Sequence, residues 1–409
     1  MLTPSALVYI HTAAHTPTPL LEALASHLNA TGMPCSTLHL HLDGPLPHLA
    51  CSSLRDGSLF IGDAATRAAV ARGDADFTPV NLSDAPALLL SSPLDLALVT
   101  LSPPDKHGLC SLGASCDVSR AALQRALRIV AVINPRAPRT FGSTAVHVSQ
   151  LDWIVEDDAP MHSPAPRVPS SAEDAIGRII AEQLVVDGAT LQLGIGGIAA
   201  AVASHLHAHK DLGIHTELLG DGIAALWRAG VVTGARKTSH PGLVVATFAV
   251  GSPELYSWMD DNPAISLLSA DVTNDTALIR RQAAMTSING AIEVDLTGSI
   301  CADSVGHRLY SGTGGQGDYM RGAALASGGV PITALSSMTS SGKSRIVAAL
   351  QPGAGVVTTR ASAHYIVTEH GHVDISRANV RERARLLISI AAPQHREALT
   401  EAARQRGLA

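Results

Sequence analysis

The residues best suited to chemistry in this chain are a glycine cluster and one acid. The cluster is Gly194-Ile195-Gly196-Gly197-Ile198, and the acid is Glu217 in the run His215-Thr216-Glu217-Leu218-Leu219. The glycines stand between an apolar stretch, 190–193, and a small-residue stretch, 199–206. That order predicts strand, turn and helix. Glycine leaves bare backbone N–H groups at a helix N-terminus, where a phosphate or a thioester-bearing arm can lie.

Two chemistries fit this arrangement. Gly194, Gly196 and Ala199 satisfy the G-x-G-x-x-G/A spacing of dinucleotide-binding turns, and Glu217 follows 23 residues after Gly194. Such folds place a ribose-gripping acid at about that distance, so a nicotinamide-dependent dehydrogenase is one reading. A second glycine cluster, Gly312-Thr313-Gly314-Gly315-Gln316-Gly317-Asp318, follows the alternating segment 292–296. One glycine turn serves a dehydrogenase. Two imply a ligand approached by backbone from two sides, or a tightly specified loop.

The elements that must hold these residues follow from composition. Hydrophobic residues form 46% of the 409 and charged ones 16%, which excludes a disordered chain. Aromatic residues are only 3%. The core must then be Ala, Val, Leu and Ile, as in parallel strands covered by helices. The fold class expected is α/β, with two related doubly wound domains. The length exceeds one ordinary core, and the net charge of −6 argues against nucleic acid or an anionic membrane as partner. No apolar run approaches the roughly 20 residues of a spanning helix. With no basic, apolar leader at Met1-Leu2-Thr3-Pro4, the compartment expected is the cytoplasm. Five scattered cysteines read as reduced thiols.

A weak repeat supports two halves. Residues 7–10 lead through a small-residue turn into 20–28, as 190–193 leads into 199–206, and both helices end in Ala-Ser-His-Leu. Between them, 157–169 carries four prolines and reads as a linker. The boundaries expected are therefore 1–169 and 170–409, the second domain carrying Glu217. Ser170 or Ser171 should cap a helix over 172–186. Strands are expected at 96–100, 128–133, 243–248, 292–296, 356–358 and 365–368, and one long closing helix over 380–406. His205 and His209 lie at i and i+4 without an HExxH carboxylate or a CxxC, so a solvated helix end is expected and no metal.

Taken in order, the motifs resemble the acetyl-CoA hydrolase/transferase family of class I CoA-transferases, including the 4-hydroxybutyrate, butyryl and acetate CoA-transferases. The residues that carry the resemblance begin with 102–113, which includes Ser102-Pro103-Pro104-Asp105-Lys106-His107-Gly108, and Asn134-Pro135-Arg136-Ala137-Pro138-Arg139-Thr140. They continue through the glycine turn, His215-Thr216-Glu217, 287–298, 312–318, Ser344-Arg345-Ile346-Val347 and Val367-Thr368-Glu369-His370-Gly371. The chain departs from the family pattern at Ala199, Ser299 and His370, where Pro, Gln and Tyr are common, which bears on substrate preference.

The resemblance implies that Glu217 is the nucleophile, forming a glutamyl-CoA thioester while CoA passes between a short-chain acyl-CoA and a carboxylate. It assigns CoA contacts to Gly194, Ile195, Gly196, Gly197, Ile198, Ile292 and Gly315. Glu369 is a candidate for orienting the acceptor. CoA is a substrate, no metal or redox cofactor is expected, and a homodimer is implied. The alternatives are an acyl-CoA hydrolase using the same acid, and the dehydrogenase above.

Overall fold

Aliphatic strands laid side by side build the two largest sheets among the described residues. The structure is a computed structural model that describes residues 2–165, 167–194 and 196–409. It divides into two compact units. The first holds Met1–Pro166, Glu217–Asp221 and Val244–Thr273; the second holds Arg167–Thr216, Gly222–Leu243 and Asn274–Ala409. The division therefore differs from a single cut at 169/170: two later stretches, one of them beginning with Glu217, pack with the first unit.

The first unit carries a seven-stranded sheet. Its order is Trp153–Glu156, Arg128–Ile133, Leu96–Leu101, Ala6–Ile10, Cys35–Leu38, Leu54–Ser58 and Ala75–Phe77, every neighbouring pair parallel. The strand order turns back at Ala6–Ile10, as in doubly wound sheets. Val8, Ile10 and Leu98 pack against Leu21, Leu24 and Leu28 of helix Thr18–Thr31. Each such burial contributes about 1.5–3 kcal/mol. Gly32 ends that helix in the left-handed region at φ 62°.

The second unit carries a six-stranded sheet in the order Gly213–Ile214, Thr190–Leu193, Met285–Gly290, Val330–Ala334, Tyr365–Thr368 and Gly371–Asp374. All its pairs are parallel except the last, a hairpin. Helix Ser171–Gln183 begins where its cap was expected. Ser170 accepts from the Glu173 N–H, and Glu173 accepts from the Ser170 N–H at 2.8 Å.

Two expectations are corrected. The closing helix is two helices, Val380–Ser389 and Arg396–Gln405. Pro393, in the short turn between them, cannot supply an N–H to continue the first. Residues 356–358 make only an isolated bridge, Ile300 with Thr358. The strand–turn–helix repeat is present in both units. All five cysteines are buried and unpaired. Among the described residues no helix is long and apolar enough to cross a membrane.

Candidate active site

Glu217 stands immediately before the short strand Leu218–Leu219 of the first unit. Its carbonyl accepts N–H groups from both Thr247 and Phe248, each at 3.0 Å. Leu218–Leu219 pairs in parallel with Phe248–Ala249. Phe248–Ala249 is in turn tied to 114–117: Ala249 donates to the Ala114 carbonyl at 2.7 Å, and the Cys116 and Asp117 N–H groups donate to the Thr247 carbonyl at 3.0 and 3.1 Å. The main chain of Glu217 is thus doubly bonded, and the residue is partly exposed.

The other sequence-derived candidates lie in the second unit, along one edge of its sheet. Gly194 follows Thr190–Leu193 and donates its N–H to the Ile288 carbonyl at 2.9 Å. Ile292 follows the neighbouring strand Met285–Gly290 and bonds to the Cys301 carbonyl at 2.8 Å. Glu369 follows Tyr365–Thr368, two strands further along. All three occupy the carboxyl ends of parallel strands, where α/β sheets bind ligands. Gly315 precedes helix Gln316–Leu325, which leads into the parallel strand Val330–Ala334 and so has its N-terminus at the same edge. In the two strands leading to the first turns, Gln192, Ser287 and Asn289 form a buried reciprocal network with bonds of 2.7–3.2 Å.

Within the glycine turn each residue is used differently. Gly196 has φ 99°, a conformation that L side chains rarely adopt, and a Cβ there would meet nothing within 4 Å. Gly197 is the opposite case: a Cβ would fall 2.4–2.6 Å from the Glu173 carboxylate. Ile198 lies in the first turn of helix Gly197–His205. Ile195 lies outside the described residues. Glu173 also accepts from Arg167 at 2.7 Å. A carboxylate beside the helix N-terminus complements its positive end.

Glu369 is held by its neighbour. Its two oxygens accept from the Ser337 N–H at 2.8 Å and the Ser337 hydroxyl at 2.6 Å. Asp105 organises its own loop, accepting from the His107 and Leu109 N–H groups and from Arg139. Backbone bonds from Leu109 and His107, with Arg139 beside it, bring its carboxyl down to about 2. His205 pairs with Asp174 at 2.8 Å and His209 with the Val185 carbonyl at 3.2 Å, each turned to a different partner. Among the described residues, no group of three or more His, Cys, Asp or Glu is placed to hold a metal.

One buried cation carried no signal in the sequence. Lys237 is 5% exposed, and its ammonium donates to the Ile214 and Leu243 carbonyls at 2.7 Å each. Burial pulls its pKa down to about 7. Nothing in the run Gly234-Ala235-Arg236-Lys237-Thr238 marks it as interior.

Comparison with known proteins decides the family. Residues 47–163 match the acetyl-CoA hydrolase/transferase N-terminal domain and residues 251–403 the C-terminal domain of the same family. The chain belongs to the acetyl-CoA hydrolase/transferase family. It is 44% identical over 405 residues to a succinyl-CoA:acetate/propanoyl-CoA:succinate CoA transferase of Fasciola hepatica, covering 98% of this chain and 84% of that one. It is 42% identical to a 4-hydroxybutyrate coenzyme A transferase of Clostridium kluyveri, over 86% of this chain and 82% of the relative. Its structure matches RipA from Yersinia pestis with a TM-score of 0.93 at 33% identity, over 100% of this chain and 96% of RipA. This agrees with the expected α/β fold. Within the family the enzyme is a CoA-transferase: relatives at 35–44% identity over most of the chain are so named. Relatives named acetyl-CoA hydrolase match at 27–31% identity over 52–72% of the chain.

Proposed function

We propose that this enzyme moves CoA between a short-chain acyl-CoA and a carboxylate of the acetate, butyrate or 4-hydroxybutyrate kind, with Glu217 as nucleophile. The observation that supports this most is the paired N–H bonding of the Glu217 carbonyl, which fixes the backbone of a partly exposed residue. The Glu217 carboxylate attacks the thioester carbonyl, giving a mixed anhydride and expelling CoA thiolate. The thiolate attacks the glutamyl carbonyl, forming the glutamyl-CoA thioester and releasing the first carboxylate. The acceptor carboxylate then attacks that thioester, again giving an anhydride and thiolate. Attack of the thiolate on the acyl carbonyl yields the new acyl-CoA and frees Glu217.

Each addition develops an oxyanion, and a single preorganised donor is worth roughly 3–4 kcal/mol at such a centre. The backbone before helix Gln316–Leu325, at Gly315, is the donor proposed. The CoA arm is assigned to the backbone of Gly194, Gly196 and Ile198 and to Ile292. Because the Glu173 carboxylate, paired with Arg167, fills the space beside Gly197, the part of CoA proposed at this turn is the slender pantetheine arm. Glu369, already fixed by Ser337, borders the acceptor.

The test follows the first carboxylate, free CoA and acetyl-CoA after mixing enzyme with acyl-CoA, with and without acetate. The transferase reading expects one equivalent of the first carboxylate per Glu217 and no free CoA without acetate, and turnover to acetyl-CoA once acetate is added. Sustained release of free CoA at equal rates in both conditions would make the enzyme a hydrolase. Mass spectrometry should find the retained CoA on the peptide containing Glu217, labile to hydroxylamine.

A further inference from the structure

His11 and His15 follow the first strand of the first unit, and both are fully buried. Each uses both ring nitrogens on backbone. The His11 Nδ1 accepts the Thr100 N–H at 3.2 Å, and its Nε2–H donates to the Ser115 carbonyl at 2.8 Å. The Nδ1–H of His15 donates to the Thr100 carbonyl at 3.1 Å, and its Nε2 accepts the Ala114 N–H at 2.8 Å. These partners set the tautomers, because a carbonyl only accepts and an amide N–H only donates. The two rings are neutral and of opposite tautomer. They join both backbone polar groups of Thr100 to the segment 114–115. Burial lowers both their pKa values, which keeps them neutral.

The joined segment is the one that holds the strand behind Glu217. Ala114 accepts from Ala249, and Cys116 and Asp117 donate to Thr247, whose own N–H reaches the Glu217 carbonyl. The same segment is braced at its far end. The Asp117 carboxylate accepts from Thr12, from Ser115 at 3.0 Å and from the Ser119 hydroxyl at 2.9 Å. Gly113 sits so close that a Cβ would lie 2.1 Å from the His15 ring. The His15 ring leaves no slack there.

We infer that His15, with His11, is a positioning residue for the nucleophile: it sets the place of 114–117, hence of Thr247–Ala249, hence of the Glu217 backbone. This rests on Glu217 being the nucleophile. A displacement of about 1 Å at a reacting group costs on the order of 100-fold in rate.

The test uses the full chain and two variants of equal reach. A glutamine amide offers a donor and an acceptor about as far apart as the ring nitrogens, while methionine offers no donor and only a weak thioether acceptor. H15M should fold, keep KM for acyl-CoA within about threefold and lose about 100-fold in kcat. H15Q should restore kcat to within about tenfold of the parent. Hydrogen exchange at the Thr247, Phe248 and Ala249 amides should quicken in H15M and not in H15Q, a readout independent of any chemistry at Glu217. Should H15M not fold, H15N decides, since its amide reaches Thr100 but not Ala114. H15N slower than H15Q supports the inference; H15N equal to H15Q overturns it. A folded H15M with parental kcat and parental exchange also overturns it. If the parent itself carries no CoA on Glu217, the nucleophile assignment fails, and the exchange data alone still judge the bridge.

Discussion

Thr247 donates its backbone N–H to the carbonyl of Glu217, 30 positions earlier in the chain, at 3.0 Å. Phe248 donates to the same oxygen. Two donors on one carbonyl leave the Glu217 main chain little freedom, which narrows the positions its carboxylate can take; the proposed covalent role would draw on such positioning.

Glu217→Gln keeps shape and removes nucleophilicity. Turnover should fall on the order of 10⁴-fold or more, as for other single nucleophile deletions. The hydroxylamine-labile CoA mass should vanish. Because the residue is partly exposed, stability should change by no more than about 0.5 kcal/mol in denaturant unfolding. Retention of the adduct would remove Glu217 from the chemistry.

Gly315→Val should separate function from folding. Gly315 has φ −98°, which any residue adopts, so backbone strain is absent. Loss of a glycine N-cap costs about 1 kcal/mol. Turnover should drop by about 100-fold if the backbone here binds an oxyanion. Near-parental kcat in a folded variant would take Gly315 out of the site.

Gly197→Ala places a methyl group 2.4–2.6 Å from the Glu173 carboxylate. Glu173 is bonded to Ser170 and Arg167 and cannot simply swing away. The expected cost is about 1–3 kcal/mol. Adding Glu173→Ala should recover part of it, a coupling readable as a double-mutant cycle. Strict additivity of the two changes would show that the close approach carries no energy.

Lys237 makes stability depend on pH. The unfolded lysine holds its proton to about 10.4, whereas the folded one releases it near 7. Between those values the unfolded chain binds more protons, so stability contributed by this group rises with pH, by up to about 1.4 kcal/mol per unit. Below pH 7 the charge is present in both states and the desolvation cost is felt in full. Lys237→Met should abolish that rise relative to the parent while leaving the Ile214 and Leu243 carbonyls without their donor, at about 1–3 kcal/mol each. Parallel stability curves for parent and variant from pH 7 to 10 would refute the shift.

What the sequence alone determined is local. The capping box of Ser170 and Glu173 is written three residues apart, and the helix starts there. The aliphatic runs 128–133 and 365–368 are the strands Arg128–Ile133 and Tyr365–Thr368. The ordered motifs carried the family and with it the choice of Glu217. Each of these signals lies within a few residues, the range over which backbone propensity and side-chain period act. The tertiary structure alone decided which unit holds Glu217, which amides bond its carbonyl, that Glu173 occupies the glycine turn, and that Lys237 and His15 are interior. Those facts depend on contacts between residues tens to more than a hundred positions apart. Burial of the whole core fixes such contacts, and a residue's neighbours in sequence leave no trace of them.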